Sequence, residues 1–247
     1  MFGHRGTPSY GPDQPTKPDT DRTSGNTGSS SVHNSKGIRN RTIAAVFVRH
    51  GASDANQGEG GQELVRGQWD VPLNSDGRQE ATQAGRTIAR HGGASKVYSS
   101  PLSRGRDTAH AIGQATGANV QVTDQLLPWD KGDAEGKPIA TEDPKLRRMA
   151  KDHRTRPVPG GESYDKFANR SDKAARSIVK AGKRSIESSG KPVAAVSHSV
   201  DMRRLGHAIE GKPEPDPLKG GVDPGGMMGV TVKGKVVKIK PGMWGSR

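Results

Sequence analysis

The run Thr42-Ile43-Ala44-Ala45-Val46-Phe47-Val48 is unbroken in its apolar character and ends abruptly at Arg49-His50-Gly51. A strand with one wet face alternates apolar and polar residues, so a continuous run of this kind suits a strand buried on both faces in the middle of a sheet. A second such run, Val193-Ala194-Ala195-Val196, ends at Ser197-His198. Both central strands therefore finish in a histidine. In open α/β sheets, ligands sit beyond the carboxyl ends of the strands, which is where both imidazoles would lie.

Working outward, Asn74, Ser75 and Asp76 offer N-caps for a helix reaching about His91, with Ala81, Ala84, Ile88 and Ala89 on one stripe. A short strand is expected over 96–99, a helix opened by Pro101 and Ser103 through about Ala115, and a strand over 120–122. Residues 128–161 are polar and rich in Pro, Gly and Lys; their best element is a short helix over 144–152. A long helix is expected over 162–188, another over 200–209, and two strands over 227–239 that turn at Lys233-Gly234-Lys235. Strands alternating with helices predict an α/β sheet covered by helices on both faces.

Composition limits how much of the chain is core. The 247 residues are only 29% hydrophobic and 4% aromatic, against a usual apolar share of roughly 45 to 50% with Gly counted. Residues 1–41 have no apolar period and are mostly Gly, Pro, Ser, Thr, Asp, Asn and basic residues; a segment of this kind buries too little surface to offset its ordering entropy. It reads as a disordered arm ahead of one domain over 42–247. The net charge of +13 favours anionic partners. A nucleic-acid tail is disfavoured because Asp13, Asp19 and Asp21 interrupt the basic residues of the arm. With no cysteine, the chain has no disulfide, thiolate metal site or cysteine nucleophile. No apolar stretch approaches the roughly 18 to 20 residues of a membrane span, and the expectation is a soluble, cytoplasmic protein without a membrane partner.

An anion is what the strand ends suit chemically. A histidine among arginines is held in its neutral form, which is the form that attacks phosphorus and carries the phosphoryl group as a covalent intermediate. Phosphoryl transfer otherwise needs positioning and charge neutralisation, and guanidinium forks match phosphate oxygens. Arg49 precedes His50, and Arg104 lies just past another strand at the start of a helix, where free backbone amides add to an anion site.

The ordered set of motifs resembles the histidine phosphatase superfamily, in its phosphoglycerate-mutase-like branch. The blocks are Val46-Phe47-Val48-Arg49-His50-Gly51 with Ser53 and Asn56, then Gly67-Gln68-Trp69-Asp70-Val71-Pro72-Leu73 with Gly77. They continue with Val97-Tyr98-Ser99-Ser100-Pro101-Leu102-Ser103-Arg104 and Thr108-Ala109, then Pro159-Gly160-Gly161-Glu162-Ser163, then Val196-Ser197-His198. The resemblance covers about 43–240. It implies a three-layer α/β/α fold with a mostly parallel sheet and an inserted cap, for which 128–161 is the natural segment. It implies His50 as nucleophile, with Arg49, Arg104 and His198 binding the phosphoryl group and Ser53 and Asn56 at further pocket contacts. It also implies a reaction that needs no metal or other cofactor.

Two departures stand out. Ser199 follows His198 where the family commonly has Gly, which narrows or re-aims the pocket. The position at which the family often carries its general acid holds Pro128; Asp130, beside Trp129, is the replacement candidate, with Asp133, Glu135 and Glu162 as alternatives. Glu162 equally suits a helix N-terminus.

Other hydrolase classes lack their signatures: there is no Gly-x-Ser-x-Gly elbow, no P-loop Gly-Lys-Ser/Thr ending and no His-Glu-x-x-His. The expected function is a metal-independent phosphomonoester phosphatase acting on a small phosphorylated substrate or a phosphoprotein. A catalytically silent phosphate-binding module tethered by the arm, and a mutase-type phosphotransferase, stand as alternatives. Oligomeric state is not legible.

Overall fold

The computed structural model describes residues 42–56, 62–213, 216, 218 and 221–239. The arm expected over 1–41 lies outside them. Six strands form one sheet: β1 (Ile43–Arg49), β2 (Lys96–Ser99), β3 (Asn119–Val122), β4 (Val193–Ser197), β5 (Met227–Thr231) and β6 (Val236–Ile239), in the order β3-β2-β4-β1-β5-β6. The first four pair in parallel; β5 runs antiparallel to β1, and β6 antiparallel to β5. Five α-helices lie among the described residues: α1 (Ser75–Arg90), α2 (Ser103–Thr116), α3 (Ile139–Asp152), α4 (Tyr164–Ser189) and α5 (Ser199–Glu210).

Alternate side chains of β1 serve opposite faces, as a strand period of two requires. Ala45 and Phe47 join Ala174, Ile178, Met202 and Leu205 of α4 and α5 on one side. Val46 and Val48 join Ala84, Ile88, Ala109 and Ile112 of α1 and α2 on the other. Both faces of the sheet are thus covered, giving the three-layer α/β/α arrangement. Phe47 is fully buried, and its truncation to Ala would cost about 3–5 kcal/mol.

A third cluster lies under residues 128–161: Val65, Trp129, Ala134, Leu146, Ala150 and Val158 pack on Tyr164 and Phe167 at the start of α4. The helix in this segment begins earlier than the expected 144–152. Thr141 and Glu142 donate their N–H groups to the carbonyl of Pro138, so α3 starts at Ile139 and Pro144 falls inside it. Proline has no N–H to donate, so that turn forgoes one helical bond and the helix continues past it. No helix of the described residues is long and apolar enough to cross a membrane.

Candidate active site

The parallel register of β1 and β4 sets the site. Arg49 lies opposite Ser197, so the next residues, His50 and His198, leave the sheet side by side, and the His50 amide donates to the Ser197 carbonyl at 3.1 Å. Their rings are 4.9 Å apart between centroids and tilted by 59°. His198 is also the N-cap residue of α5, while Arg104 sits in the first turn of α2.

The backbone around His50 is compressed onto the start of α1. A Cβ on Gly51 would meet the Gly77 carbonyl oxygen at 2.1 Å, and one on Gly77 would meet the Ala52 oxygen at 2.0 Å. Both positions therefore need glycine for the two segments to approach. Gly51 N–H donates to Thr108 Oγ1, which in turn donates to the Arg104 carbonyl, tying the His50 loop to α2. The Asn74 side chain caps α1 by accepting from Gly77 N–H at 2.9 Å. Asp70 does the same for α2 from outside the helix, accepting from the Ser103 N–H and hydroxyl at 2.8 and 2.7 Å.

The His50 tautomer follows from one contact. Nδ1 lies 2.6 Å from the Gly51 carbonyl oxygen, which can only accept, so Nδ1 carries the proton and Nε2 keeps its lone pair. His198 Nε2 shares a 3.1 Å hydrogen bond with Ser100 Oγ. Burial, then the nearby Arg104 charge, holds both imidazoles well below the usual histidine range; both are neutral at pH 7.

The arginines are fixed by backbone carbonyls. Arg104 donates through Nη1 to Trp69 O and through Nη2 to Gly67 O, both at 2.8 Å, and Arg49 donates through Nη1 to Val222 O at 2.6 Å. Burial and the neighbouring Arg66 push both guanidinium groups down to about 10, so both stay charged at neutral pH. The Nε–H groups of Arg49 and Arg104 are buried with no hydrogen-bond partner among the described residues. Buried donors are ordinarily satisfied, so these two cationic Nε–H groups near His50 are available to an anion.

A cavity of about 60 Å³ is lined by Arg49, His50, Arg104 and His198, and also by Arg66, Lys131, Ser199 and Asp201. Ser199 thus stands in the cavity wall, its hydroxyl donating to the same Val222 carbonyl that holds Arg49. Ser53 and Asn56 do not line it. The Ser53 amide and hydroxyl both donate to Asn56 Oδ1, closing the short turn Asp54–Asn56 just after the His50 loop.

None of the four carboxylates expected as the acid faces this cavity. Asp130 Oδ1 accepts from Gly132 N–H at 3.0 Å, and Asp133 lies against Gly160. Glu135 Oε1 accepts from the Gln68 and Lys131 amides. Glu162 forms a two-pronged pair with Arg170 at 2.7 and 2.8 Å and accepts from the Asp130 amide. Sequence reasoning misses Asp201 altogether, counts Lys131 only among the insert's basic residues, and does not single out Arg66. The one signal for Asp201 is its place three residues after His198 at a helix start, since residues i and i+3 share a helix face. Among the described residues no group of three or more His, Asp or Glu side chains is arranged to hold a metal.

Comparison with known proteins agrees with this geometry. The family description for the histidine phosphatase superfamily (branch 1) matches residues 45–240. The bifunctional protein Rv2228c of Mycobacterium tuberculosis is 32% identical over 173 residues, 68% of this chain and 44% of that protein; the chain thus spans less than half of that relative's length. A probable phosphoglycerate mutase GpmB of Salmonella paratyphi C is 30% identical over 175 residues, 69% of this chain and 76% of that protein. The structure of mycobacterial glucosyl-3-phosphoglycerate phosphatase Rv2419c superposes with a TM-score of 0.60 at 27% identity, covering 75% of this chain and 88% of that one. With its strand-end histidines, its two buried arginines and a family match that takes in most of its length, this chain belongs to the histidine phosphatase superfamily, branch 1.

Proposed function

We propose that the protein is a phosphomonoester phosphatase that works through a phosphohistidine on His50. The observation that carries this reading is the pairing of an Nε2 lone pair, fixed by the Nδ1 bond to Gly51 O, with the unpartnered Nε–H donors of Arg49 and Arg104. His50 Nε2 attacks phosphorus while the two guanidinium groups and His198 hold the equatorial oxygens, so that charge is neutralised as the bond to the leaving oxygen breaks. Water then displaces the phosphoryl group from nitrogen and inorganic phosphate leaves.

A cavity of about 60 Å³ has room for roughly four to six water-sized volumes, close to the heavy-atom count of one phosphate. The remainder of the substrate would then face the insert, where Arg66 and Lys131 favour an anionic group near the ester. Named relatives that are a phosphoglycerate mutase and a phosphatase of a phosphorylated glycerate are in keeping with this, and a small phosphorylated metabolite is preferred over a phosphoprotein. Hydrolysis is preferred over mutase chemistry, because a mutase must shield its phosphoenzyme from water.

Phosphate-labelled substrate tests the reading. Label should transfer to the peptide containing His50, be lost in acid and persist in base, and be unaffected by EDTA. Label on a serine or carboxylate would overturn the mechanism.

A further inference from the structure

With Pro128 at the position of the expected acid, with Asp130, Glu135 and Glu162 hydrogen-bonded elsewhere, and with Asp133 outside the cavity lining, the proposed reaction has no proton donor among the insert's expected carboxylates. An unassisted alkoxide is a poor leaving group, and a positioned acid is worth roughly 100- to 10,000-fold in rate. Among the described residues, one carboxyl group lines the cavity that holds His50, that of Asp201 in the first turn of α5. We infer that Asp201 is the general acid for departure of the alcohol and the general base for the water that follows, an assignment that rests on the phosphohistidine reading above.

Three observations support this. Asp201 is buried at 4% exposure, and its carboxyl makes no hydrogen bond or ion pair with another described group. A buried carboxylate held for structure alone would be expected to have partners, as Glu162 has in Arg170. Asp201 and Pro128 line the same cavity, so the acid arrives from α5 at the place where the insert has lost its own.

The third observation is electrostatic. A carboxylate at a helix N-terminus is ordinarily stabilised in its ionised form. Burial overrides this and pushes Asp201 up to about 8, against the opposing pull of Lys131, Arg170, Arg104 and Arg204. Arg170 and Arg204 are themselves paired with Glu162 and Asp172, and the two imidazoles are neutral. Of the cations in the cavity wall, Lys131 is the strongest that acts against protonation. The group is therefore largely protonated at neutral pH, as a donor must be.

The proton balance is simple. As His50 Nε2 forms its bond to phosphorus, the phosphorus–oxygen ester bond breaks and its electron pair takes the Asp201 proton, releasing the alcohol and leaving a carboxylate. That carboxylate then accepts a proton from water, whose oxygen attacks phosphorus. The nitrogen–phosphorus pair returns to Nε2, phosphate leaves and Asp201 is again protonated.

The test uses the full chain and two esters, an alkyl phosphate and p-nitrophenyl phosphate, whose nitrophenolate departs without a proton. In Asp201→Asn, kcat/KM for the alkyl ester should fall roughly 100- to 10,000-fold while that for p-nitrophenyl phosphate falls less than about 10-fold. Loss of the base should also show as a nitrophenol burst with base-stable label accumulating on His50, which at the same time verifies that the variant is folded. In the unmodified protein kcat/KM for the alkyl ester should decline above pH about 8, and Asp201→Asn should lack that limb. Asp130→Asn should change neither substrate selectively. Equal losses on both esters, or unchanged kinetics in Asp201→Asn, would overturn the assignment while labelling of His50 in the unmodified protein keeps the parent reading intact. Failure of the unmodified protein to label His50 would remove the parent reading and this assignment with it.

Discussion

The end of the parallel sheet and the insert over 128–161 meet at one cavity but are built on different principles. At the sheet end the functional groups are held by backbone: strand register places His50 beside His198, the Gly51 carbonyl sets the His50 tautomer, and the carbonyls of Gly67, Trp69 and Val222 hold the arginines. In the insert, a small separate core is stitched by side-chain pairs, such as Glu162 with Arg170 and Arg154 with Asp165. On the proposed function, phosphoryl transfer would belong to the first region and contact with the rest of the substrate to the second.

The largest expected effect would break this division if it failed. His50→Ala should abolish turnover and label, and it should leave thermal stability nearly unchanged, because the ring is held by one carbonyl and a buried neutral imidazole is lost with it. A chemical-rescue assay with free imidazole, alongside a melting curve, separates the two outcomes. Substantial residual turnover would place the nucleophile elsewhere.

Trp129→Ala should act on the other region. It removes a side chain of 2% exposure that donates to the Glu162 carbonyl and packs edge-on to Tyr164, at a cost of about 3–5 kcal/mol. Hydrogen exchange should show α3 and the start of α4 losing protection well before β1 and β4. Uniform loss across the sheet would mean that the two cores are one cooperative unit.

Stability should depend on pH in opposite senses for the two kinds of titrating group. The imidazoles of His50 and His198 have folded values lowered below the unfolded one, so their contribution is present above pH about 6.5 and is lost as pH falls. Asp201 is raised above its unfolded value near 3.8 to about 8, so its contribution is present below pH about 4 and is lost as pH rises through about 8. Asp201→Asn should therefore melt higher than the unmodified protein at pH 9 and gain less at pH 5. The same melting temperature difference at both pH values would contradict a buried, uncompensated carboxyl.

Smaller effects grade the comparison. Asn74→Ala should cost about 0.5–2 kcal/mol through loss of the α1 cap and slightly lower activity, because that helix start presses on Gly51. Lys145→Ala removes an exposed partner of Glu142 and should change stability by less than about 1 kcal/mol in a denaturant titration.

Much of this arrangement is legible in the residues themselves. The two apolar runs, 42–48 and 193–196, are identified by their unbroken apolar character, and a residue that follows such a run has little choice but to lie at the sheet's carboxyl edge. The caps, glycines and turn residues are equally local, which is why the helices and strands fall within a few residues of where the pattern puts them, α3 excepted. Pro144 suits the first turn of a helix and so suggests a late start for α3, whereas the backbone continues through a proline when the rest of the turn is held.

The sequence alone determined the α/β architecture, the strand-end histidines and the arginines that accompany them, because each depends on residues adjacent in the chain. Only the tertiary structure decided which carboxyl faces the cavity at His50. Asp130 and its neighbours look acidic and well placed along the chain, but none lines the cavity: Asp130 meets the Gly132 amide, Glu135 the Gln68 and Lys131 amides, and Glu162 Arg170. Asp201, some seventy residues farther on, reaches the cavity because α5 begins at His198 and turns its first acidic side chain inward. Proton-transfer groups are selected by burial and by what else competes for their oxygens, and both are properties of packing that no local pattern carries.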